Sequence, residues 1–141
     1  VFREVVRLET RRLVDRWERI TAQTGSVRLK LKEILESRIL EFGHLEDMFA
    51  RAGTEASPSL VEEERRELVE TEQRILGRLL RKGREEGELR VPDVERAVGA
   101  LLAAARGMAL ALEGELSEQK ERIEAFLEIV LRGFESQEAS A

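Results

Sequence analysis

This 141-residue sequence predicts an all-α fold, an antiparallel bundle of about six helices, and three observations carry that reading. Charged residues make up 38% of the chain and prolines number only two, with Leu, Glu, Arg and Ala dominant, a composition that favours helix over strand. Apolar residues recur at three- and four-residue spacing along nearly the whole length. The periodic stretches are separated by short stop and start signals, glycine after a helix and Ser or Asp before one.

A chain of this length is one domain's worth. Its net charge of -5 leaves no basic footprint, so these residues alone are not expected to hold nucleic acid. With no cysteine there is neither a disulfide framework nor thiolate chemistry. No apolar run reaches the ~20 residues that a membrane span needs, so a cytoplasmic protein with no membrane partner is expected. The sequence starts in helical register, without Met and without an N-cap ahead of it, as a piece cut from a longer chain would.

Phe2, Val6, Leu13, Trp17 and Ile20 define a first amphipathic helix over residues 1 to about 24, closed near Gly25. Ser26 can cap a second, whose apolar line Val27, Leu31, Ile34, Leu35 and Phe42 runs to Gly43, where a break is expected because glycine costs ~1 kcal/mol in a helix. A short third helix over Leu45 to Ala52 carries Met48 and Phe49, and "AGTEASPS" then reads as a loop. Ser57 or Ser59 opens a long helix, with Pro58 in its first turn and Leu68, Ile75, Leu76, Leu79 and Leu80 as its buried stripe. "RKGREEGEL" ends it, with Gly83 or Gly87 available for a left-handed C-cap. Asp93 fits the N-cap of the next helix, with Pro92 just outside.

From Ala97 to Leu112 only Arg106 is charged, so this helix is apolar nearly all round and needs cover on more than one side. Gly99, Ala103, Gly107 and Ala111 add a ridge of small residues that another helix can approach closely. The last helix, about Ser117 to Phe134, is strongly amphipathic. The apolar excess of these two helices either fills the chain's own core or forms a subunit interface. The preferred reading is an interface of Val98, Leu101, Ala105, Met108, Leu112, Ile123, Phe126, Leu127, Val130, Leu131 and Phe134. Pairing with a second copy would give a four-helix bundle and a homodimer, burying on the order of 1,600 Å² or more. On this reading a charge at Leu127 or Val130 splits the dimer and one at Glu121 does not.

Chemistry is sparsely signalled. Glu41 and His44 have the spacing of a carboxylate and a histidine on one helix face in di-metal bundles, but that motif occurs twice in such proteins and His44 is the only histidine. No metal site, cofactor or enzyme activity is therefore expected, and no nucleophile or phosphate loop is recognisable. Three charges interrupt apolar lines: Arg38, Glu72 and Arg106. They are either paired or solvated, as a buried charge requires, or they orient a ligand in an apolar cavity. Candidate pocket residues are Leu13, Trp17, Leu35, Arg38, Phe42, Met48, Phe49 and Glu72, of which the large apolar ones would serve equally as plain core.

Residues 75 to 110, "ILGRLLRKGREEGELRVPDVERAVGALLAAARGMAL", resemble the C-terminal regulatory half of TetR-family transcriptional regulators. "FLEIVLRGF" is similar to that family's last helix, and "VFREVV" to the start of the helix that follows its DNA-reading unit. The resemblance spans essentially the whole chain, with Gly-Glu-Leu-Arg at 87 to 90 as its most specific motif. It implies a ligand-sensing part over 1 to 90, a mainly dimerising part over 91 to 135 and a disordered tail over 136 to 141. It further implies a repressor whose partners are a second copy, a partly apolar small-molecule effector, and operator DNA held by a helix-turn-helix upstream of Val1. A helical carboxylate-metal protein and a ligand-free helical adaptor are the alternatives.

Overall fold

The computed structural model describes residues 2–55 and 58–135. Among these residues five helices follow one another: α1 (Phe2–Ala22), α2 (Val27–Glu55), α3 (Pro58–Glu85), α4 (Val94–Ala111) and α5 (Leu116–Arg132). Helices α1, α2 and α3 pack on one another; α4 lies on α2 and α3, and α5 on α2. Helix α2 is thus the axis of the bundle. Its buried residues, among them Val27, Leu31, Ile34, Leu35, Ile39, Leu45, Phe49 and Ala52, point in several directions, as they must in a helix covered on several sides. The axis even buries Lys30, whose ammonium donates to the Thr21 carbonyl at 3.2 Å.

Two expectations are corrected. The predicted break at Gly43 does not occur, and the separate helix over 45–52 is the second half of α2, so five helices replace about six. The ~1 kcal/mol propensity cost of one glycine is outweighed by burying Leu45, Met48, Phe49 and Ala52 along the same continuous helix. Most of "AGTEASPS", expected as a loop, is helical: α2 continues to Glu55 and α3 opens on Pro58, which presets the backbone angle of a first helical residue. Ser57 and the proposed tail over 136–141 lie outside the described residues.

The joint between α3 and α4 follows the sequence closely. Gly87 takes the left-handed conformation, with φ of +75°. The Glu88 N–H donates to the Gly83 carbonyl at 2.8 Å and the Gly87 N–H to Arg84 at 3.1 Å, which is a Schellman stop. Gly83 serves a different need. A Cβ there would stand 2.6 Å from Cδ1 of the buried Leu89, so only a glycine lets the chain fold back this tightly. Asp93 then caps α4, accepting from the Arg96 N–H at 3.1 Å.

The joint also fastens other elements. Glu88 accepts from the backbone N–H groups of Val27 and Arg28, each at 3.1 Å, and from the Ser26 hydroxyl, so the predicted Ser26 cap of α2 is completed by a carboxylate 62 residues away. Arg90 donates its N–H to the Phe134 carbonyl at 2.9 Å, and Leu89 bridges to Glu135. The start of α2, the end of α3 and the exit of α5 therefore meet at one place.

Candidate functional site

Arg38 and Phe42 stand one turn apart on α2 and so share a face. Val69 and Glu72 do the same on α3, and Leu102, Ala103, Ala105 and Arg106 come from α4. Together they line a cleft of about 270 Å³ whose walls are mostly apolar. Larger grooves of about 490 and 450 Å³ run between α1 and α3 and between α1 and α2, but these are open and lined by charged side chains such as Arg7, Arg11, Glu63 and Arg16. Water solvates such groups well already, whereas the smaller cleft encloses the Arg38 and Glu72 side chains between apolar walls.

Inside it, Nε of Arg38 lies 2.7 Å from Oε2 of Glu72, with the side chains only 17% and 4% exposed. The contact is close but poorly aligned: among the described residues Oε2 of Glu72 and Nη1 of Arg38 are both buried without a hydrogen-bond partner. The guanidinium also sits 5.9 Å from the Phe42 ring centroid, at the outer edge of a cation-π contact. Burial pushes the Glu72 carboxyl up to about 7, against the opposing pull of Arg38. The pair is thus a group with spare hydrogen-bonding capacity, poised to change protonation near neutrality.

The eight candidate pocket residues do not converge on one place. Arg38, Phe42 and Glu72 line the cleft. Leu13, Trp17 and Leu35 are buried in the core away from its lining, Trp17 with its Nε1 unpartnered. Met48 and Phe49 are buried further along α2, where Arg65 lies 4.7 Å from the Phe49 ring centroid and bonds Glu46 at 2.6 Å. Ala105, assigned to the subunit interface, lines the cleft, and Val69, Leu102 and Ala103 were missed. Their signal was adjacency: Val69 is one turn from Glu72 and Leu102 one turn from Arg106, so the residues flanking each interrupting charge marked the walls. Arg106 is exposed, at the rim. His44 is exposed too, and the described residues hold no cluster of three or more metal-ligating side chains.

Large apolar side chains of α4 and α5 stay exposed. Leu110, Leu116 and Ile129 are 67%, 58% and 73% exposed, and the small residues Gly99, Ala103, Gly107 and Ala111 are open to solvent. Of the eleven residues assigned to a subunit interface, Met108, Leu112, Phe126, Val130 and Phe134 are partly exposed. Val98, Leu101, Ala105, Ile123, Leu127 and Leu131 point inward and are 0–5% exposed in the single chain. These six have almost no surface left to give a partner, because α4 and α5 turn their richest stripes onto α2 and α3. A charge at Leu127, fully buried, would therefore damage the chain's own core.

No helix among the described residues is long and apolar enough to cross a membrane. No family sequence profile and no curated protein sequence matches the chain. Solved structures do. A TetR/AcrR-family transcriptional regulator from Thermobifida fusca is 24% identical with a TM-score of 0.69, over 92% of this chain and 70% of that one. A transcriptional regulator from Cytophaga hutchinsonii is 16% identical with a TM-score of 0.70, over 96% and 75%. The ketosteroid transcriptional regulator KstR2 of Mycobacterium tuberculosis is 19% identical with a TM-score of 0.65, over 89% of this chain but 66% of its own length. At these identities the likeness establishes architecture: the five helices of this chain have the TetR-like fold of transcriptional regulators.

Proposed function

We propose that this chain is the ligand-sensing and homodimerising region of a TetR-like transcriptional repressor, and not an enzyme. A small molecule in the α2–α3–α4 cleft alters the DNA affinity of a helix-turn-helix preceding Val1. The observation that carries the reading is the cleft itself, which holds an imperfectly satisfied buried ion pair and is walled in part by α4, whose Leu110 and small-residue ridge form its outer face. Dimer contacts come from that outer face, with Ile129, Leu110 and Leu116 joining Met108, Leu112, Phe126, Val130 and Phe134. The inward six hold α4 and α5 in position behind it. A ligand that binds one dimer arrangement better than another shifts the spacing of paired DNA-reading heads, which must match half-sites ~34 Å apart.

Sedimentation and ligand-dependent melting test this. The chain should sediment as a dimer at micromolar concentration, and Ile129→Glu should give a folded monomer. A compound at 100 times its dissociation constant should add about 2.7 kcal/mol of stability, and Val69→Trp, which fills the cleft away from the dimer face, should abolish that gain. A monomeric wild type would remove the dimer, and a gain that survives Val69→Trp would remove the cleft as the sensing site.

A further inference from the structure

We propose that the ligand of this cleft is a small amphipathic monocarboxylate, whose carboxylate takes the Arg38 guanidinium from Glu72 while its apolar body lies against Phe42, Val69, Leu102 and Ala105. The inference deepens the sensing function proposed above and rests on it. Four features support it. Among the described residues Arg38 has a buried Nη1 without a hydrogen-bond partner and one polar contact, poorly aligned, so its planar fork can take a second carboxylate in the bidentate geometry that guanidinium favours. A neutral ligand head would leave that donor unmatched. The remaining walls are mostly apolar, and a phosphate head carrying up to two charges would meet only Arg38 and the exposed Arg106 as cations, with Glu72 opposing it. Size sets the class further: at ~30 Å³ per water-sized group, 270 Å³ holds on the order of ten non-hydrogen atoms.

Glu72 gives the exchange a second consequence. The charged groups lining the cleft with it are Arg38 from α2 and Arg106 from α4; α3 otherwise contributes Val69, and α1 contributes nothing. Two carboxylates on one guanidinium do not both stay ionised at low cost, so an arriving acid makes Glu72 take up a proton. Protonated Glu72 can then donate a hydrogen bond to the ligand. The balance is simple: one anion and one proton enter together, and no covalent bond changes.

Calorimetric titration of the chain with octanoate and octanamide, and with phenylacetate and phenylacetamide, at pH 6 and pH 8 tests this. The acids should bind at least about tenfold tighter than the amides, since only they make the charge-assisted pair. Their affinity should rise several-fold from pH 8 to pH 6 through proton uptake. Arg38→Gln should erase the preference for acids. Glu72→Gln should keep the preference and erase the pH dependence, a readout that stands even if Arg38→Gln does not fold. Acids and amides that bind alike, both lost in Val69→Trp, would overturn the carboxylate class and leave the sensing site intact. Acid binding untouched by Val69→Trp would overturn both, and a folded chain that binds none of the four overturns the proposal.

Discussion

Two glutamates of the α3 region reach across to α2, and their surroundings drive them in opposite directions. Glu72 enters the cleft from the middle of α3, nearly closed off from water, with the Arg38 guanidinium beside it and, among the described residues, no aligned donor for its Oε2. Its carboxyl rises to about 7 because burial outweighs Arg38. Glu88 sits just past the end of α3 at the N-terminus of α2. Burial would raise it as well, but the Ser26 hydroxyl, the Arg28 and Val27 N–H groups and the charge of Lys30 outweigh that and hold it below the ordinary 4.5. The same side chain titrates below its ordinary range where donors are preorganised and above it where they are not. The joint's carboxylate is held by fixed donors, and the cleft's is not.

Breaking the clamp should have the largest effect. Gly83→Ala places a Cβ 2.6 Å from Leu89 Cδ1 and 3.2 Å from Val27 Cγ1, so the buried Leu89 side chain must shift. We expect a loss of about 1–3 kcal/mol in urea or thermal unfolding; an unchanged stability would mean that the joint is pliable. Next, Glu88→Ala removes three hydrogen bonds from the start of α2 and should cost about 1–2 kcal/mol at neutral pH. Because the folded value is depressed, this stabilisation is present above the ordinary 4.5 and is lost as pH falls through the lower folded value. The gap between Glu88→Ala and wild type should therefore close on acidification.

Glu72→Gln should have the smallest effect, with the opposite pH sign. A folded value near 7 lies above the ordinary 4.5, so between those values the folded chain keeps a proton that the unfolded chain has shed. Glu72's contribution is thus complete below about 4.5 and lost as pH rises through about 7. Glutamine mimics the protonated acid, so unfolding should show little difference at pH 4.5 and a gain of up to about 1 kcal/mol at pH 8. A gap of the same size and sign at both pH values would assign Glu72 a purely structural role.

Local chemistry made the joint legible. Gly87 and Asp93 do what their residue types do anywhere, a left-handed C-cap and an N-cap, and both were readable because such caps depend on a few consecutive residues. Glu88 was not readable as a cap for α2, since its partners are about sixty residues away in the chain. The cleft was half legible. Arg38 and Glu72 stood out as charges on apolar lines, but Trp17, Met48 and Phe49 are the same residue types in plain core, and only helix rotation separates the two roles.

The sequence by itself determined the helical class, the amphipathic stripes and the stop and start between α3 and α4, because periodicity and capping act over one or two turns. Tertiary structure alone decided which helix became the axis. Charge-bearing α2 is covered on several sides, whereas α4, apolar nearly all round, leaves Gly99, Ala103, Gly107 and Leu110 in solvent. It also overrode Gly43, because the apolar area buried along one continuous helix exceeds the local cost of a glycine. Which stripe meets which neighbour depends on how five helices share one core, and no local pattern encodes that competition.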